Sequence, residues 1–175
     1  MRVLLLAAIV IGLIAPTASA TPIRDASGGL VQPFTTWTLT MHLPPPNVTA
    51  TVYLDDPLCD AACAQPPDRM YFLTSNSINM QRDTFTHELG HLFDYQRMDG
   101  PARFAFRKLV GDMRPWRSDF NSPHEKFAEA YMQCALLGFK PTKIPEGWNW
   151  GYGYWPLAKY HPKVCALILR VTNRT

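Results

Sequence analysis

Residues 87–91 read His-Glu-Leu-Gly-His, and no other stretch limits so sharply what this chain can become. The residues around them, Phe85, Leu89, Leu92 and Phe93, recur at helical spacing, which predicts a helix from Asp83 to about Arg97. On that helix His87 and His91 lie one turn apart on the same face. Chance is a poor explanation: with five His and four Glu in 175 residues, random placement gives roughly 0.003 copies of this pattern.

Two neutral imidazoles so placed can reach one Zn²⁺ at about 2.0–2.1 Å each. Glu88 sits beside them without being needed as a ligand. A carboxylate there can take a proton from water and later hand it to a leaving amine, which is the chemistry this spacing serves in metallopeptidases. A third protein ligand is needed, with the fourth position left open. The candidates lie in His124-Glu125-Lys126-Phe127-Ala128-Glu129-Ala130-Tyr131, on a helix opened by Ser122 as N-cap and Pro123 at its first position. Glu125 and Glu129 are one turn apart. One would bind the ion and the other would fix the tautomer of a ligand histidine. Ser122 to Glu125 also fits a capping box, and in that reading Glu129 becomes the ligand.

The pair HELGH and EKFAEAY resembles the gluzincin metallopeptidases, and most of all the anthrax lethal-factor type of catalytic domain. The resemblance covers about 45 residues, His87 to Tyr131. It implies His87, His91 and Glu125 as ligands of one zinc ion, Glu88 as general base, and Glu129 in support. One departure matters: that type carries a tyrosine shortly before the metal-binding glutamate, and Arg117-Ser118-Asp119-Phe120-Asn121 contains none. His124, Tyr131, Tyr152 and Tyr154 are the replacements that the sequence offers. A surface position is the plainer expectation for His124. Asp94, three residues past His91, is either an orienting partner for a ligand histidine or a solvated residue near a helix end; the second is the weightier expectation. Tyr152 and Tyr154 belong to an aromatic stretch, 147–155, expected to cover the core.

Outside the motif, residues 1–20 read as a signal peptide, with Arg2, the apolar run Val3–Ile14 and Ala18-Ser19-Ala20 as cleavage pattern. Removing twenty from 175 residues leaves 155, one domain spanning 21–175. The expected location is outside the cell or in its envelope, with no stable membrane anchor. A formal charge of only +3, without a Lys/Arg stripe, gives no case for nucleic acid. Oligomeric state has no signal. Cys59, Cys63, Cys134 and Cys165 read as two disulfides, a local Cys59–Cys63 clip and a Cys134–Cys165 tie between distant segments.

Strands are predicted at Thr36–Leu43, Val48–Leu54 and Met70–Thr74, after a loosely held leader at 21–35. Helices are predicted at 83–97, 101–110 (with Phe104, Leu109 and Val110 inward), 122–138 and 162–171. Strands first and helices afterwards give an α+β fold, a small zincin-like domain whose helical half carries the metal site. The expected function is a secreted zinc endopeptidase acting on peptides or proteins, with substrate pairing along Met70–Thr74 as an edge strand. Two alternatives stand beside it: a zinc-binding domain without turnover, and a zinc hydrolase of cell-wall peptide amides.

Overall fold

A computed structural model describes residues 23–139 and 160–174, apart from Pro45, Ala61, Asn76 and Ser118. The residues expected to form a signal peptide, and the aromatic stretch with Tyr152 and Tyr154, lie outside the described residues. The fold is α+β, as the order of elements predicts. Strands β1 (Ile23–Asp25), β2 (Ala50–Leu54), β3 (Ala62–Gln65) and β4 (Arg69–Phe72) form one sheet. The described helices are α1 (Phe34–Leu39), α2 (Ile78–Arg97), α3 (Gly100–Val110), α4 (Pro123–Leu137) and α5 (His161–Thr172).

The sheet runs in the order β1-β2-β4-β3. β1, β2 and β4 are mutually parallel, and β3 returns antiparallel to β4, with Cys63 opposite Tyr71. The leader therefore contributes a strand: Ile23 is fully buried and its segment pairs with β2. Thr36–Leu43 is not a strand. Phe34, Trp37 and Thr38 are the buried residues there, a helical spacing, and the Thr38 hydroxyl donates to the Thr35 carbonyl. The alternation of polar threonines with apolar residues imitates a strand, but the burial follows period 3.6. Strand β3 falls where the sequence suggests only a turn between cysteines. It has no buried residue, so no apolar run marks it.

Helix α2 begins five residues before its predicted start, capped by Ser77. In α3 Ala102 and Phe106 are buried and Leu109 and Val110 pack half-buried against the core as expected, whereas Phe104 is 49% exposed. Asp99 caps that helix, and Gly111, at φ +70°, ends it in the left-handed conformation glycine tolerates. Helix α4 keeps its expected bounds, with Ser122 accepting from the Glu125 amide and Gly138 at the end.

One continuous core joins sheet and helices. Phe34, Phe72 and Phe85 meet ring to ring beneath the sheet. Phe93, Phe106, Phe127 and Tyr131 fill the space among α2, α3 and α4. Gly90 lets α2 and α4 touch: a Cβ there would lie 2.9 Å from Ala128 Cα. Both expected disulfides are formed, Cys59–Cys63 leading into β3 and Cys134–Cys165 joining α4 to α5. They fit an oxidising compartment. No described helix is long and apolar enough to cross a membrane.

Candidate metal centre

Close contact between α2 and α4 brings the two motifs face to face. His87 and His91 look out from α2, and Glu125 reaches them from the first turn of α4. One atom from each of the three lies within 4.8 Å of the other two, and both rings are buried. Glu125 Oε2 stands 3.3 Å from His87 Nε2 and 3.3 Å from His91 Nε2. Two ligands sharing a tetrahedral ion at 2.0–2.1 Å lie about 3.3–3.4 Å apart. The spacing therefore suits a small cation, although it does not select zinc among them.

The two glutamates of α4 divide their roles. Glu125 faces the Nε2 atoms, while Glu129 Oε2 lies 3.5 Å from His87 Nδ1 and its Oε1 accepts from Gln133. Glu125 is also not tied up as a cap. Ser122 Oγ receives its amide proton, but the Ser122 amide donates to the Asp119 carbonyl, so no reciprocal side-chain bond forms.

Charge supports the same arrangement. Burial alone disfavours a charged His87, yet its bonds to Glu125 and Glu129 and the nearby Glu88 raise its pKa to about 9. Burial lowers His91. Glu125 is held far below the usual carboxylate range: burial opposes this, and contacts with His124, His87 and His91 outweigh it. Three carboxylates thus surround two rings, a balance of charge that favours a cation among them. Glu88 is buried and lines the adjoining cavity, with Oε2 meeting no hydrogen-bond partner among the described residues.

Asp94 and His124, expected at the surface, are both buried. Asp94 accepts from Arg103 Nε at 2.8 Å and Trp116 Nε1 at 3.0 Å, with His124 Nε2 at 3.3 Å. His124 stacks on His91 at 4.3 Å between ring centres, its Nε2 3.1 Å from His91 Nδ1. A chain of contacts thus leads from His91 through His124 to Asp94, the kind of outer support that orients a ligand ring. Tyr131 has no place in the cavity wall. It is packed beside Phe93 between α2 and α4, and burial pushes its hydroxyl pKa upward.

The cavity itself measures about 330 Å³ and is walled by Glu88, His91, Glu125, His124, Tyr95 and the strand Ala62–Ala64, with Phe120 at its rim. Tyr95 is the residue that sequence reasoning overlooks. Its signal is present, since it lies four residues past His91 and hence on the same face. The edge of the sheet beside the centre is β3; β4 is paired on both sides, which rules it out as a site of strand addition.

A second group, Cys134, His161 and Cys165, also has converging metal-binding atoms. Its sulfurs are joined to each other, so neither offers the thiolate a metal needs. His161 instead lies 3.1 Å from the Gly138 carbonyl. No family model, curated protein or solved structure matches the chain.

Proposed function

We propose that the chain is a secreted zinc-dependent endopeptidase, with His87, His91 and Glu125 holding the ion and Glu88 acting as general base. The resemblance of its two motifs to gluzincins supports this reading. The observation that carries it is the position of Glu88. A purely structural metal site has no use for a further, unligated carboxylate, yet Glu88 lines the cavity beside the three proposed ligands. When bound, zinc supplies Lewis acidity, polarising a carbonyl and lowering the pKa of water toward ~7.

The protein's own groups carry the rest. Glu88 accepts the proton of the attacking water and returns it to the leaving amine. Glu129 and the His124–Asp94 pair keep the two ligand rings oriented. Tyr95 and His124, which line the cavity, take over the part of the missing tyrosine. Burial and the charges of Asp94, Glu88 and Glu125 push the Tyr95 hydroxyl up to about 12, so it stays protonated and can donate to a developing oxyanion. An extended peptide is the substrate that fits a cavity bordered by Ala62–Ala64, because an edge strand offers main-chain partners.

The test is to load the purified protein with zinc and digest a mixed peptide library with and without chelator, beside Glu88→Gln. Wild type should cleave and chelator should stop it. Glu88→Gln should keep zinc in equilibrium dialysis and lose about 10²–10⁴ in rate. Equal behaviour of the two proteins would refute the enzyme in favour of a zinc-binding domain.

A further inference from the structure

Beside the metal cavity lies another of about 280 Å³, lined by Asp94, Tyr95, Arg103, Trp116, Arg117 and His124. Tyr95 and His124 line both cavities, so the two share a wall. Their charges differ in sign. The metal cavity has Glu88 and Glu125 in its wall and, among the described residues, no Lys or Arg. The second has two arginines against a single acidic residue in its lining, and that carboxylate is already engaged. Asp94 is 1% exposed and bonded to Arg103, Trp116 and His124.

Arg103 is fixed rather than free to wander. Its Nε and Nη2 bond to Asp94, and its guanidinium lies 5.8 Å from the Trp116 ring centre. Nη1 has no hydrogen-bond partner among the described residues, and the side chain keeps 31% exposure. Arg117 is exposed, and its side chain makes no ion pair among the described residues. Asp119, which shares a neighbouring surface pocket with Arg117, is not within ion-pair distance of it. A positioned guanidinium, a free one and two aromatic walls recognise a carboxylate on a short apolar stem: the charges pair with the head and the rings cover the stem.

We infer that this cavity is a specificity subsite for a substrate carboxylate, supplied either by an acidic side chain near the scissile bond or by a free C-terminus. The inference rests on the hydrolase reading of the neighbouring centre, and the experiment separates the two. In a binding arm, chelator-treated protein is titrated with N-acetyl-glutamate amide and N-acetyl-glutamine amide while the Trp116 indole N–H resonance is followed by NMR. The glutamate probe should shift that resonance saturably and the glutamine probe should not. Arg117→Ala, an exposed change that leaves the fold intact, should weaken the glutamate probe about tenfold. Equal response to both probes would overturn the subsite whatever the protein's activity.

In a cleavage arm, the zinc-loaded protein meets libraries made with free and amidated C-termini. About tenfold faster cleavage of Glu- over Gln-containing peptides is expected if the side chain is the source, and of free over amidated ends if the terminus is. Arg117→Glu should reverse the side-chain preference toward lysine. Cleavage without either preference would refute the subsite and leave the hydrolase standing. Selective binding of the glutamate probe without any cleavage would do the reverse.

Discussion

Gly90→Ala isolates the contact on which the candidate metal centre is built. In an open helix this substitution stabilises by about 0.5–1 kcal/mol, because alanine loses less backbone freedom than glycine on folding. At position 90 the added Cβ would lie 2.9 Å from Ala128 Cα, 3.0 Å from Tyr131 Cβ and 3.1 Å from the Ala128 carbonyl oxygen. Two of these neighbours are backbone atoms, and the third belongs to a fully buried ring-bearing residue. None can yield by swinging a flexible end away, so α4 itself must move. Overpacking of this kind costs about 1–3 kcal/mol. Set against the helical gain, the net is a loss of about 1–2 kcal/mol, or roughly 3–6 °C in Tm for a domain of this size. Urea denaturation in chelator measures the packing effect alone. A zinc titration then reads its consequence, since moving α4 carries Glu125 away from His87 and His91 and affinity should fall. Gly100→Ala is the control: among the described residues nothing beyond its own helical turn lies within 4 Å of its Cβ, and stability should change by only a few tenths of a kcal/mol. If Gly90→Ala proves as stable as wild type or more so, the argument from close helix approach is wrong.

Other perturbations test separate parts of the structure. Half-burial, with the Glu129 charge adding to it and Arg82 opposing, raises the Asp83 pKa from 3.8 to about 6. A carboxyl so raised is unpenalised below pH 3.8, and its cost to folding grows until pH passes 6. Asp83→Asn should therefore add about 1 kcal/mol at pH 7.5, after discounting for solvent screening, and nothing at pH 3.5. Urea midpoints at the two pH values decide this. Asp94→Ala strips partners from Arg103, Trp116 and His124 together, and a loss of about 3 kcal/mol in chemical denaturation is expected. Replacing both Cys134 and Cys165 with alanine opens a link across 31 positions and should lower stability by about 3–4 kcal/mol. A smaller effect than that of replacing the Cys59–Cys63 pair, which spans 4 positions, would contradict the chain-entropy account.

How much of this was legible in the sequence depended on whether a residue's role was set locally or by distant chain. Helix α4 was readable to its ends because Ser122, Pro123 and Gly138 act through their own backbone. The His87 and His91 pairing was readable for the same reason, being a matter of one helical turn. The meeting of that pair with Glu125 was open between two glutamates, because periodicity puts both on one face. The structure separates them through the register of α4 against α2: the first turn of α4 meets the Nε2 atoms, and the next turn meets Nδ1 of His87. Strand β3 was hidden because all its residues are half-buried and its identity comes from pairing with β4.

Asp94 and His124 are buried because of surroundings that lie far along the chain. Residue statistics favour solvent for an Asp near a helix end, but α3 folds back to present Arg103, and the segment after it presents Trp116. Those partners come from residues 9 and 22 positions away. Burial of an ionised carboxylate is tolerable only with such partners. The same geometry accounts for the charge of the second cavity. Arg103 holds Asp94 with two of its nitrogens and also lines the neighbouring cavity, so one arginine both supports the His91 side of the candidate metal centre and contributes to the cavity beside it. A change at Arg103 should consequently alter stability and carboxylate binding together, whereas a change at Arg117 should alter carboxylate binding alone.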